Sequence, residues 1–250
     1  EPSAFLSWWK RQHRWIRGDW QLLPFIMPKL TDAADTPYKN PLSALSRTKL
    51  ASNMLSSLVP VSALICFMLM PYTNGGLYAA LALLALCRGA VWELIGLIKR
   101  FVTARLDELD VRGAMEESRP ALLNGVMQLA VLPYSALRTI DAIIRTIYRL
   151  TVSHKNMLQW QTAAQTKVKA GELKQYFIAL WPCGLFAGIM ILAGIFLGAM
   201  PACFILSALF ISASVLIAYL DAPLNKETLN GRNSEYIKEA ARRTWRFFET

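Results

Sequence analysis

Four blocks of this chain run for about twenty residues each with little or no charge: 50–72, 77–98, 176–200 and 202–220. A helix needs about 20 apolar residues to cross the hydrocarbon core of a bilayer, and inside that core the backbone must bond within its own segment. The links within each pair of blocks, PYTNGG and AMPA, are short and uncharged, whereas the intervening and flanking stretches are basic. Cationic side chains accumulate on the cytoplasmic side of a membrane. The pattern therefore predicts a mainly α, polytopic membrane protein: four transmembrane helices paired as two hairpins, with interface helices and both termini in the cytoplasm. The expected division is a cytoplasmic end-piece and interface helix over 1–30, a first hairpin over 31–100, and a cytoplasmic connector over 101–175. A second hairpin over 176–221 and a cytoplasmic linker over 222–250 follow.

Composition fits that frame. The chain is 54% hydrophobic, above the roughly 45–50% of soluble domains, and its net charge of +10 is concentrated outside the apolar blocks. The charge follows from topology and from anionic headgroups, and no nucleic-acid-binding motif accompanies it. Cys66, Cys87, Cys183 and Cys203 sit in apolar blocks without paired or metal-type spacing, so they read as small core hydrophobes. His13 and His154 have no Cys, His or carboxylate cluster in sequence around them, and no protein-held metal is predicted. Arg88 and Glu93 are exceptions within the second block. A charge at mid-membrane costs about 2.5–3.5 kcal/mol, so each should face another span or a wet cavity. Arg88 and Trp92, four apart, are placed for a cation–π contact.

The stretch 122–132 is apolar but short, holding Asn124 and Gln128 with Pro133 beyond. Next, Leu137, Ile140, Ile143, Ile144, Ile147 and Tyr148 form one helical stripe, and Arg138, Asp141, Arg145 and Arg149 the opposite one. Asp141 is placed to pair with Arg145 one turn on. This reads as an amphipathic helix on the cytoplasmic surface, because a fifth span would carry the basic C-terminal region across the membrane. A last helix over 236–248 sets Tyr236, Ile237, Ala240, Ala241, Trp245 and Phe248 against basic residues, and suits a membrane or a neighbouring domain. His154, Lys155, Trp160 and Gln161, in the connector, read either as a surface segment or as a gating segment.

Polar and aromatic chemistry concentrates in WKRQHRWIRGDWQ, residues 9–21. Residues 3–17 predict a helix ending at Gly18, with Phe5, Trp8, Trp9, Gln12 and Trp15 on a shared face. Residues 19–30 suit the membrane interface and 31–44 a loop. Arginine forks onto phosphate oxygens, and an indole offers a flat face for the C–H surface of a sugar ring. Such a helix can hold a nucleotide diphosphate and a glycan end, or it can be a juxtamembrane basic–aromatic anchor. Asp19, Trp20 and Gln21 extend the run; Asp19 reads as the N-cap of a following helix, as a substrate contact with Trp20, or as both.

The order R-Q-H-R-W resembles the Q(Q/R)xRW motif of membrane-embedded family-2-type glycosyltransferases, the class of cellulose, chitin and hyaluronan synthases. Arg11 stands where those families usually carry Gln. The longer string RWIRGDWQ resembles the cyclic β-1,2-glucan synthase family, as do NPLSALSRTKLASNMLSSLVP (40–60), LPYSALRTIDAIIRTIYRLTVSHKNMLQWQTAAQ (132–165) and AARRTWRFFET (240–250). The resemblance covers nearly the whole chain in order. It implies transfer of glucose from UDP-glucose, with inversion, to a growing β-1,2-glucan at the bacterial inner membrane. It implies that Arg11, Gln12 and Arg14 bind the donor pyrophosphate and that Trp15 stacks on the acceptor, with Asp19 and Trp20 as further substrate contacts. It also implies Mg²⁺ on an acidic motif and a carboxylate base, both expected upstream in the same polypeptide. No catalytic residue is therefore expected in this segment, which is expected to be inactive alone and to precede further domains. DELD, at 107–110, reads as a solvated face of a connector. Two other readings stay open at this point: another polysaccharide synthase of the cellulose-synthase type, and a non-enzymatic transporter or scaffold, for which only Arg88 and Glu93 speak.

Overall fold

The computed structural model describes residues 4–31, 36–72, 76, 80, 95–96, 98, 111–155, 173–197, 201–222 and 231–249. Over these, helices make nearly all of the architecture: α1 (Phe5–Gln21), α2 (Ala44–Ser57), α3 (Val59–Leu69), α4 (Val111–Ala130), α5 (Leu132–Tyr148), α6 (Leu173–Ala179), α7 (Trp181–Phe196), α8 (Pro201–Leu220) and α9 (Gly231–Glu249).

The apolar blocks behave differently from one another. The block at 202–220 is the single helix α8, long and apolar enough to cross a membrane. The block at 50–72 is not one straight helix. Helix α2 starts earlier, at Ala44, where Ser43 Oγ accepts the Ser46 N–H at 3.1 Å. It then meets α3 with a 44° bend at Leu58. Pro60 is the cause: it has no N–H to give, and its ring crowds the carbonyl four residues back. In the same way Pro182 breaks the block at 176–200, and α6 meets α7 at 61° across Leu180. Among the described residues one helix thus qualifies as a membrane span, or three if each bent pair counts as one. The block at 77–98, with Arg88, Trp92 and Glu93, lies outside the described residues apart from 80, 95, 96 and 98, as do Cys87, DELD at 107–110, Trp160 and Gln161.

Helices α7 and α8 pack as a hairpin whose seam is built from small residues. Ala187, Gly194, Cys203 and Ala213 are buried, and Ser207 Oγ donates to Ala187 O at 3.2 Å while also bonding Cys203 O within its own helix. Small residues let apolar helices approach closely. A Cβ on Gly194 would stand 3.3 Å from Cys203 Cβ. Gly194→Ala is expected to be tolerated with a small loss of thermal stability, and Gly194→Val to destabilise the folded protein by about 1–3 kcal/mol through overpacking. Thermal unfolding of the detergent-solubilised variants measures both. Outward from this seam, Phe196, Ile205, Ile211 and Tyr219 are exposed, an apolar surface suited to lipid. The thiols of Cys66, Cys183 and Cys203 are free, the last two buried as core hydrophobes.

Helix α5 departs from the expected two-sided surface helix. It has three faces. A strip of small residues, Ala136, Thr139, Ala142 and Thr146, is buried together with Ile143, and it packs against α1, α3 and α7. The charged strip lies to one side. The large apolar strip lies to the other, with Ile144 and Tyr148 exposed. Bulk alone does not decide which face is buried. The small residues are inside because three neighbouring helices converge there.

The expected loop over 31–44 contains a short antiparallel hairpin, β1 (Lys29–Thr31) with β2 (Pro37–Lys39), in the register Lys29↔Lys39, Leu30↔Tyr38, Thr31↔Pro37. Buried Asn40 ties it down: its Nδ2 donates to Phe25 O and Met27 O at 2.7 and 2.8 Å, and its Oδ1 accepts the Leu42 N–H at 2.9 Å. In α9, residues 235–246 are exposed on every side, Tyr236, Ile237 and Trp245 included.

Candidate functional site

Helix α1 carries the R-Q-H-R-W run. It does not stop at Gly18 but continues to Gln21, so Asp19 is the interior of a helix and not the N-cap of another. A helical glycine costs about 1 kcal/mol, which neighbouring contacts outweigh. Burial raises the Asp19 carboxyl pKa above the ordinary value. Trp20, half-buried, donates from Nε1 to Ser57 Oγ of α2 at 3.0 Å. Its ring packs on Ile16, Ala142 and Ile143. This is an anchoring geometry. Trp20→Phe is expected to lose about 0.5–1.5 kcal/mol of stability with little change in folding yield, measured by thermal unfolding.

Two more side-chain bonds fix the same helix. Asp221, just past α8, accepts the Phe5 N–H and the Tyr176 hydroxyl on one oxygen, both at 2.7 Å. It thereby satisfies the start of α1, where no local side chain caps the helix. At mid-helix, His13 Nε2 lies 2.9 Å from Asp141 Oδ2 of α5, and Arg145 Nε donates to the other carboxylate oxygen at 2.6 Å. The Asp141–Arg145 pair is the one expected from spacing. His13 was the unassigned place in the motif, and its partner is 128 residues away. Asp221, Tyr176 and Ser57 gave no sequence signal as partners of α1, although Asp221 is the first charge after an apolar block.

The electrostatics of the pair follow from its surroundings. Burial lowers the His13 pKa, opposed by the bond to Asp141 and aided by Arg138 and Arg17, so the imidazole is neutral at pH 7 and its Nε2–H donates. Burial raises the Asp141 pKa, but bonds from Arg145 and His13 outweigh it and hold the carboxyl below its ordinary value. Both groups bind fewer protons folded than unfolded. Their contribution to stability is full above about pH 6.5, declines first as His13 protonates below that, and declines again as Asp141 protonates below 3.8. The thermal midpoint is expected to fall between pH 7 and pH 5, and to fall less in His13→Gln. Unfolding scans across that range measure it.

The tryptophans, expected on a shared face, divide. At 100° per residue, positions 5, 8, 9, 12 and 15 cover an arc of about 120°, wide enough for its two edges to meet different surroundings. Trp9 turns inward, stacked edge-on against Tyr134 at 5.6 Å and Trp8 at 5.2 Å. Trp15 turns outward and is 55% exposed. The Arg11 guanidinium carbon lies 4.8 Å from the Trp15 ring centroid, one turn back, so cation and indole form one stacked unit. Gln12 and Arg14 are half-buried beside it. The structure thus brings Arg11 and the exposed Trp15 together, places Arg14 next in the chain, and uses His13 and Trp20 to hold the opposite face. Chemically, a forked cation over an exposed indole can receive a phosphorylated group at one edge and a sugar at the other.

His154 ends the widened helical turn Arg149–Ser153 in a left-handed conformation, with φ of 50°, and it and Lys155 are exposed. Among the described residues no three His, Cys, Asp or Glu side chains gather to hold a metal ion.

No protein-family profile matches the chain. It is 31% identical, over 259 aligned positions, to the cyclic β-(1,2)-glucan synthase NdvB of Rhizobium meliloti (strain 1021). The alignment takes in 96% of this chain and 8% of that protein, so the chain spans a small part of the relative it matches. The resemblance read from RWIRGDWQ and the three further stretches is borne out.

Proposed function

From its relationship to one segment of a cyclic β-(1,2)-glucan synthase, we propose that this chain is the membrane-side portion of a glycosyltransferase that moves glucose from UDP-glucose to a growing β-1,2-glucan with inversion. The observation that carries the reading is the Arg11–Trp15 stack, held outward by a helix fixed at three points on its other side. Arg11, Gln12 and Arg14 bind the donor pyrophosphate. Their positive charge faces the negative charge that grows on the leaving diphosphate as the glycosidic bond breaks, which is where preorganised cations lower a barrier most. Trp15 stacks on the acceptor glucose and presents its hydroxyl to the anomeric carbon. Asp19 lies one turn further along and is available to the acceptor. The carboxylate that deprotonates that hydroxyl belongs to another part of the polypeptide. Mg²⁺, when bound, would neutralise the diphosphate; the described residues do not gather a site for it, and no step here passes through it.

The apolar hairpin and the exposed stripe of α5 seat the site at the inner leaflet of a bacterial cytoplasmic membrane, with both termini on the cytoplasmic side. Reporter fusions at residues 74 and 160 are expected on opposite faces of the membrane; the same face for both would contradict the hairpin arrangement. Function is tested in membranes that carry the full-length protein. Labelled glucose from UDP-glucose is expected to enter a product with 1,2-linkages by methylation analysis. A 1,4-linked product or preference for another sugar nucleotide would point to a synthase of the cellulose type. No transfer from any sugar nucleotide would leave a transporter or scaffold.

A further inference from the structure

We propose that His13 is a positioning residue: the His13–Asp141–Arg145 chain sets where the donor-binding face of α1 stands relative to α5. This rests on the assignment of Arg11, Gln12 and Arg14 to the donor. His13 occupies the centre of the motif but points to α5 and not to the face that carries Arg11 and Trp15. Its side chain is 12% exposed, and its Nε2 donates to an aspartate on another helix at 2.9 Å. Both helices are basic where they meet. Helix α1 brings Arg17, and α5 brings Arg138 and Arg145, with Arg149 just beyond. Arg138 and Arg17 disfavour a charge on His13, and Arg149 and Arg145 repel the charge of Arg17. Asp141 is the acidic side chain of α5 and lies at this junction. Its two oxygens are divided between the helices: Oδ2 receives His13 of α1, and Oδ1 receives Arg145 of α5. A neutral imidazole in this place adds a donor without adding a fifth cation. The other contacts between α1 and α5 are apolar: Trp9 against Tyr134 before this point and the small cluster of Ile16, Ala142 and Ile143 after it. Removing either member lets α1 slide or rotate against α5, and a shift of about 1 Å at a donor site is enough to impair turnover severely.

The test uses the full-length protein and steady-state transfer with UDP-glucose varied, normalised to folded enzyme. His13→Ala and Asp141→Asn are each expected to raise the donor KM about tenfold or more. The double variant is expected to be no worse than the poorer single, because the two share one interaction. His13→Gln, whose amide can donate from near the same point, is expected to stay within about threefold of the parent. Arg14→Ala, assayed in parallel, separates this inference from the one it rests on. Donor KM raised in Arg14→Ala but unchanged in His13→Ala and Asp141→Asn would overturn the positioning role alone. Donor binding and turnover unchanged in Arg14→Ala would overturn the donor assignment. A lower thermal midpoint in His13→Ala with the parent KM would reduce the bond to a structural one and overturn the proposal as well.

Discussion

Arg14→Ala in the full-length protein is expected to cut glucosyl transfer from UDP-glucose by about 10²–10³-fold, the usual loss when one preorganised group facing transition-state charge is removed. Trp15→Ala should cost about 10–100-fold, since covering a large apolar side chain with the C–H face of a sugar is worth about 1.5–3 kcal/mol. Trp15 is 55% exposed, so its loss should not come with misfolding, and the Arg14 variants are read against thermal unfolding because Arg14 is half-buried. Arg14→Lys is informative because it keeps the charge and removes the fork; a loss intermediate between parent and Ala is expected. Transfer of labelled glucose, with membrane insertion checked by alkaline extraction, measures the series. Normal synthesis by Trp15→Ala would refute its acceptor role.

Asp221→Ala has the second large effect, and it acts through the fold. One carboxylate oxygen holds the first N–H of α1 and the hydroxyl of Tyr176, whose side chain is 2% exposed. Hydrogen bonds to a charged acceptor contribute about 1.5–3 kcal/mol, and a buried hydroxyl left without its acceptor adds a penalty of about 1–3 kcal/mol. The variant is expected to lose about 3–5 kcal/mol and to accumulate poorly. Tyr176→Phe removes the hydroxyl together with its need for a partner, so it should lose only about 1 kcal/mol. The difference between the two in thermal unfolding is the helix-start contact and the orphaned hydroxyl taken together. Equal losses would mean that neither costs anything.

The parts of this architecture that were legible in the sequence are those determined over short distances. The uninterrupted apolar block gave α8, and Asp141 pairs with Arg145 one turn on. Proline positions were visible too, but counting apolar residues passed over Pro60 and Pro182, each of which bends its block. Two features needed the third dimension. Gly18 does not end α1, because contacts through Ile16 and Trp20 carry the helix past it. The buried strip of α5 consists of small residues that no hydrophobic pattern marks, and they become a core only where α1, α3 and α7 converge. The same holds for the candidate site. Residue order alone picked out Arg11, Gln12, Arg14 and Trp15. It could not tell that Trp9 turns inward and Trp15 outward, nor that His13 and Asp221 reach partners more than a hundred residues away.

The most direct test of the central claim, that the outer face of α1 grips the sugar nucleotide, is a structure of the full-length protein with UDP-glucose and a β-1,2-glucan acceptor bound. The account predicts diphosphate oxygens within about 3.5 Å of the Arg14 and Arg11 guanidinium nitrogens and the acceptor's glucose ring lying over Trp15. A nucleotide seated away from α1, with Arg14 and Trp15 facing lipid or solvent, would contradict it.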